Sequence, residues 1–497
     1  MRSVAGSRIF VVLAVVLVGV FLVGVWAQRD IGLADNSDFT RSIFTFSSGP
    51  VGLPMGWPAY DSEVGRQRFF YYWLPRWNLR WFLLRPITSA ELLWVPGVLV
   101  AAVSGGIIDL RVVSLFPKLL LLGEMLLVIA WAWRQTAHRF TLLFALGVPT
   151  VLVFTTTDYL VYLQSFYQEA GTLVFLLPVL FALVYFRRQP SRTRLAVVLV
   201  CVGLLTTAKR ADFYWPLLTL PFLLSAWLAG HAAPRETPRR LTVVAVGLLC
   251  AVVATVASLR ATSFGATGAN AYQSFFFGAL TFSDHPAAHL ERCGLQTAAA
   301  CVNHDAYSPV GRQYLVDHPN DVTFRHVLLT YARDPGAVVG AVRHVSGNMQ
   351  DLSLEFLGKY ALGDPRIAPD PTPVWRAATE RFRGAGEGTI WNGWSACKYW
   401  WFPTGGTLFA CLGLFAGWFG WQWLRASSET ARELAMVGLV ATLACPLDMG
   451  VAVLGEGRAD LIKHLFLANL TFDVAAVVFF ASVLVWARTR FGPPVPA

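Results

Sequence analysis

Two carboxylates and a guanidinium, Asp35, Asp38 and Arg41, sit in the stretch 32–41, directly after the first long apolar run, Ile9 to Trp26. A carboxylate held against a hydroxyl takes up its proton as a general base. Placed where a helix leaves the bilayer, it lies within reach of a substrate carried on lipid. The same spacing also describes a capping turn with a solvated acidic tip. Three further clusters carry comparable chemistry. Glu169 closes the segment Gln164-Ser165-Phe166-Tyr167-Gln168-Glu169, where it either complements a helix dipole or faces a substrate. Lys209 and Arg210 form a tight basic pair suited to a lipid phosphate or to the neighbouring Asp212. Glu456, Asp460, Lys463 and His464 occupy 455–464, and the last three share one helical face, as an internal ion pair or as an acid/base and phosphate site.

The elements that must position these groups are membrane helices. A chain of 497 residues that is 55% hydrophobic and 14% charged, with mean hydropathy +0.52, is not a soluble enzyme. Apolar runs at 9–26, 112–133, 140–157, 170–186, 195–208, 213–229, 241–259, 403–423, 434–454 and 465–486 predict about ten spans of an all-α polytopic protein. The positive-inside rule orients them. Arg2 and Arg8, Arg134 and Arg139, Arg187 to Arg194, Arg235 to Arg240, Arg425 and Arg432, and Arg488 and Arg490 then share the cytoplasmic side with both termini. All four polar clusters fall on the opposite side. The net charge of +10 is spread between apolar runs and forms no basic domain, which argues against nucleic acid as a partner. The first run is longer than a signal-peptide core and reads as a retained anchor. Neither end carries a lipidation motif.

The loops add detail. The first external loop, 27–111, interleaves aromatics and arginines at 69–82, as an aromatic belt or as a jutting helix that guides a lipid phosphate. Within it, 90–108 reads as an interfacial helix, because counting it as a span would invert the arginine-rich loops. Residues 260–400 are polar and predict an extracytoplasmic domain or elaborated loop, with scattered histidines and Cys293 and Cys301 placed for a disulfide in an oxidising compartment. Trp391-Asn392-Gly393-Trp394 reads as a turn back to the interface. The sequon at Asn469 lies inside a span and is discounted. The chain divides into an N-terminal membrane module, 1–259, with its long first loop, the polar region 260–402, and a C-terminal membrane module, 403–497.

An acidic motif after the first span, a long first external loop and many spans resemble the GT-C membrane glycosyltransferases. Asn36-Ser37-Asp38-Phe39, Gln164 to Glu169, Thr207-Ala208-Lys209 and Lys463 to Asn469 are similar to motifs of WsfD-like bacterial glycan hexosyltransferases, related in pattern to the YfhO group. Ser37 and Gln164 stand where that pattern has Gly and Asn. The resemblance implies a polyprenyl-phosphate sugar donor, a glycan or lipid acceptor of the cell envelope, and transfer at the outer face of the bacterial cytoplasmic membrane. Asp38 would be the base, with Asp35 as the alternative. Lys209 and Arg210 would stabilise the leaving phosphate, helped by Arg41, Lys463 and His464, while Glu169, Glu456 and Asp460 orient sugar hydroxyls. No metal is required for this chemistry, although the carboxylates leave a divalent cation open. A transporter or flippase, or a polymerase of lipid-linked saccharides, is the alternative. The chain shows no internal repeat, and its charges cluster at one face rather than at mid-membrane, which favours the enzyme.

Overall fold

The structure, a computed structural model, describes residues 2–29, 31–33, 35, 38–43, 46–51, 76–80, 88–135, 138–229, 266–349, 391–402 and 404–491. Among these, six helices are long and apolar enough to cross a membrane: Ser7–Ala27, Leu110–Arg134, Glu169–Arg188, Gly405–Arg425, Glu429–Glu456 and Phe466–Phe491. Arg139–Phe154 and Thr157–Leu163 together are long and apolar enough for a seventh but meet at 63°, the geometry of a broken span or a re-entrant loop. Apolarity alone predicts one span at 140–157. The break falls where Thr155 and Thr156 turn their hydroxyls onto the carbonyls of Val151 and Leu152, at 2.7 and 3.0 Å. Side chains that compete for helix carbonyls bend or end the helix. Arg192–Ala208 and Trp215–Ala229 are helices of 17 and 15 residues, short of the usual crossing length. The apolar run 241–259 lies outside the described residues.

The two ends of the bundle differ in chemistry. At one end Arg187 pairs with Glu429 at 2.5 Å, and Arg188 binds the fully buried Glu433 in a fork whose second bond is 2.8 Å. Arg488 donates to Thr141 at 2.8 Å at this same end. The basic loops assigned to one side thus converge. Asp38, Glu169, Lys209 and Lys463 gather at the other end.

The first loop is not wholly helical. Strands β1 (Ser47–Pro50), β2 (Arg76–Leu79) and β3 (Ile107–Asp109) form an antiparallel sheet in the order β1-β2-β3. This corrects the helix reading of 69–82 over its described part, the remainder lying outside the described residues. Trp77 is fully buried and belongs to the core rather than to an aromatic belt. In the segment 90–108, Pro96 opens the helix Val95–Val103, whose nine residues are too few to span. Its exposed Leu99, Val100 and Val103 oppose buried Gly97, Val98 and Ala101.

Cys293 and Cys301, whose pairing the sequence leaves open, are free thiols. Charge is also not confined to one face: Glu124, Asp448 and Asp473 lie buried within spans. The helix Gly393–Trp401 explains one of them. It exposes Tyr399, Trp400 and Trp401 but buries Lys398, whose ammonium donates to Asp473 at 2.7 Å and to Asn469 at 2.8 Å. The Tyr159 hydroxyl donates to the second Asp473 oxygen at 2.5 Å. Asn469 of the sequon is itself fully buried, as its place in the span predicts. An unpaired buried charge is strongly unfavourable, so this contact ties the re-entering helix to the last span. Lys398→Met is therefore expected to lower stability by about 3–5 kcal/mol. Lys398→Met with Asp473→Asn should recover most of that loss, because the Tyr159 bond survives. Thermal unfolding of the detergent-solubilised protein measures both, and equal losses in the single and double variants would contradict the pairing.

Candidate functional site

Asp38 follows the first span and Lys463 precedes the last, yet their side chains meet at 2.5 Å. Lys463 also reaches Asp460 at 3.3 Å. The ammonium is almost wholly buried, whereas Asp460 keeps 37% of its side-chain exposure and Asp38 17%, so the carboxylates form the open side of the pair.

Local structure aims both partners. Asp35 is buried and its Oδ1 accepts the Phe39 amide at 3.1 Å, closing the turn that carries Asp38. Phe39 then packs among Tyr167, Phe166 and Trp77, with centroids at 4.8, 5.6 and 5.8 Å. Gln164 donates to the carbonyls of Gln28, at 2.7 Å, and Ile31, which fixes the start of the first loop. Its extra methylene relative to Asn suits a reach to two carbonyls. On the other side, Gly457 has φ +62° and lies against Gly278, and a Cβ there would stand 2.5 Å from the Gln273 carbonyl. Only glycine permits that approach. It brings Asp460 and Lys463 round into the short helix Leu461–His464.

A second ion pair lies alongside. Lys209 bonds Glu169 at 2.8 Å, with both side chains largely buried. Gly171 makes this possible, because a Cβ there would meet Ala90 at 2.7 Å and Ala208 at 3.0 Å. Burial disfavours the Lys209 ammonium, but Glu169 outweighs it and the lysine is held above its ordinary range. Asp212 accepts the Thr172 hydroxyl at 2.7 Å, and burial raises its carboxyl well above the usual range. Between the pairs stand Tyr162 and Tyr167, 6.0 Å apart, with Lys463 over the Tyr167 ring at 5.8 Å.

The remaining predicted residues divide. His464 lies 3.8 Å from Glu456, which accepts the Asn270 amide at 2.8 Å, so these two face the polar region 266–349. Arg210 opens a 3-10 turn and makes no ion pair among the described residues. Arg41 lies on the helix Thr40–Ile43, and its side chain falls outside the described part. The expectation missed Asp448, buried behind the site and accepting the Ala468 amide at 2.7 Å. A carboxylate inside an apolar run was the available signal. Among the described residues, no three His, Cys, Asp or Glu side chains converge as metal ligands.

A family profile, described as the YfdI N-terminal transmembrane domain, matches residues 2–491. The chain belongs to this family. The family description names no WsfD-like or YfhO-related subtype. No curated protein matches the sequence. Among solved structures, the archaeal oligosaccharyltransferase AglB from Archaeoglobus fulgidus, bound to an inhibitory peptide and a dolichol-phosphate, aligns at 14% identity with TM-score 0.35. The alignment covers 99% of this chain and 53% of that one, so the chain spans about half of AglB. ArnT from Cupriavidus metallidurans aligns in its apo state at 13% identity, TM-score 0.29, covering 97% and 78%. Its undecaprenyl phosphate complex gives 14%, 0.28, 98% and 78%.

Gln164→Leu would remove the side-chain donor from the Ile31 carbonyl and leave the Gln28 carbonyl with the Ile31 amide alone. A loss of about 2 kcal/mol is expected, together with faster proteolysis in the first loop. Gln164→Asn should fall between the two. Thermal unfolding and limited proteolysis measure this, and wild-type behaviour of the Leu variant would show that Gln164 does not hold the loop.

Proposed function

We propose that the protein is a GT-C-type glycosyltransferase that moves a sugar from a polyprenyl-phosphate donor to a glycan or lipid acceptor of the cell envelope. The reading places the reaction at the outer face of the bacterial cytoplasmic membrane, with both termini inside. It rests on the Asp38–Lys463 pair, which joins an open-sided carboxylate to an ammonium across 425 residues of sequence.

In this reading the acceptor O–H gives its proton to Asp38 as the oxygen bonds to the anomeric carbon. The bond from that carbon to the phosphate oxygen breaks, and the polyprenyl phosphate leaves with the electron pair. Lys463 neutralises Asp38 before substrate arrives and then turns part of its charge to the departing phosphate. Lys209 and Arg210 lie on the phosphate side, with Arg41 and His464 as helpers. Glu169, Asp460 and Glu456 bind sugar hydroxyls. Asp35 is occupied by the Phe39 amide, which suits a positioning role better than that of base. Residues 1–259 and 403–497 are the membrane modules that enclose this site, and 260–402 is the extracytoplasmic region beside it.

The experiment is transfer of labelled sugar from polyprenyl-phosphate donors by membranes of matched expression. Asp38→Asn should reduce transfer by roughly 100-fold or more. Lys463→Met should lower kcat, because it removes the ammonium that bonds Asp38. Full activity in Asp38→Asn would remove it as the base. Absence of transfer by the wild type from every donor, with movement of lipid-linked saccharide across vesicles instead, would favour a flippase.

A further inference from the structure

The polar region holds a second charged site, remote in sequence from the four clusters above. The helix Pro286–Cys293 presents His289 and Arg292 toward the helix Phe324–Arg333, which presents Arg325, His326, Thr330 and Arg333. The spacing i, i+3 on the first helix and i, i+1, i+5, i+8 on the second puts each set on one face. Between them lies a hollow of about 180 Å³.

Its electrostatics are one-sided. The three arginines are exposed and make no ion pair among the described residues. The nearby carboxylate, Asp334, is already spent. It accepts the Ser283 hydroxyl at 2.5 Å, His289 at 3.3 Å and the Ala337 amide at 3.0 Å. Led by the Ser283 bond, these contacts hold its carboxyl below the usual range. The Thr323 amide donates to His326 Nδ1 at 3.4 Å, which keeps the neutral ring's proton on Nε2, a donor. Thr330 lines the hollow, is 1% exposed, and its hydroxyl has no partner. A buried hydroxyl left unsatisfied is unfavourable and asks for a ligand or water.

We propose that this hollow binds a phosphoryl group. Three guanidinium forks match a tetrahedral, doubly charged oxyanion that offers several oxygens. A monocarboxylate would leave part of the positive charge uncompensated. The source is either an anionic lipid headgroup or a phosphate carried in solution or on a glycan.

The test uses the full-length protein in nanodiscs and calorimetric titration with inorganic pyrophosphate. Arg325→Ala with Arg333→Ala should weaken binding by at least about tenfold, with the unfolding temperature unchanged because both side chains are exposed. Other anion sites, Lys209 and Arg210 included, remain in both proteins and cancel in the comparison. Arg325→Lys with Arg333→Lys should give an intermediate affinity. In discs containing phosphatidic acid, a phosphomonoester lipid, loss of wild-type pyrophosphate binding identifies the lipid headgroup as the occupant, whereas binding equal to that in phosphatidylcholine identifies a soluble or glycan-borne phosphate. Equal affinity in the wild type and the double Ala variant overturns the site. Gluconate bound as tightly as pyrophosphate overturns its assignment to a phosphoryl group.

Discussion

A charge taken out of water needs a partner, and in this protein that requirement joins parts of the chain that sequence keeps far apart. Lys463 is buried and finds Asp38 from behind the first span. Lys398 is buried and finds Asp473 in the last span. Lys209 is largely buried and finds Glu169 at the head of a third. Each pair fixes where a loop or short helix meets the bundle, because losing one partner would weaken the compensation of a buried charge. The arrangement of the polar end follows from these three contacts.

The pairs are not equivalent. Lys398–Asp473 is closed on all sides and shares its oxygens with Tyr159, which suits a structural tie. Asp38–Lys463 keeps its carboxylate side open. An open carboxylate beside a buried ammonium can exchange its partner for a substrate group, which is the property the proposed transfer asks of it. Lys209–Glu169 lies between these extremes, with Asp212 behind it. Tyr162 and Tyr167 pack against each other at 6.0 Å, and Lys463 lies over the Tyr167 ring.

Aromatic packing supplies the rigidity. The Phe39 ring locks the residue after Asp38 against Phe166 and Tyr167, and Trp94 contacts the same Phe166 at 5.3 Å. The first loop and the Gln164 to Glu169 segment therefore hold a common position. The arginine-lined hollow at 289–333 belongs to a separate packing unit, built round Tyr272, Phe275 and Phe276, and its charge does not depend on the membrane site.

Apolar runs, their arginine flanks and the clustering of polar groups were legible in the sequence, because partitioning into lipid is a local and nearly additive property of each segment. Asp38, Glu169, Lys209 and Lys463 could be singled out for the same reason, as charges at the ends of such runs. Their partners could not. Asp38 with Lys463, and Lys398 with Asp473, depend on which helices pack side by side, a relation between distant segments that no local pattern carries. The strand at Arg76–Leu79 was hidden likewise, since its pairing with Ser47–Pro50 and Ile107–Asp109 forms only once the loop has closed, whereas the break after Phe154 rests on the local Thr155 and Thr156 bonds, which apolarity alone does not register. Sequence alone determined that this is a polytopic helical membrane protein with polar groups clustered at the ends of its apolar runs; tertiary structure decided which charges answer each other.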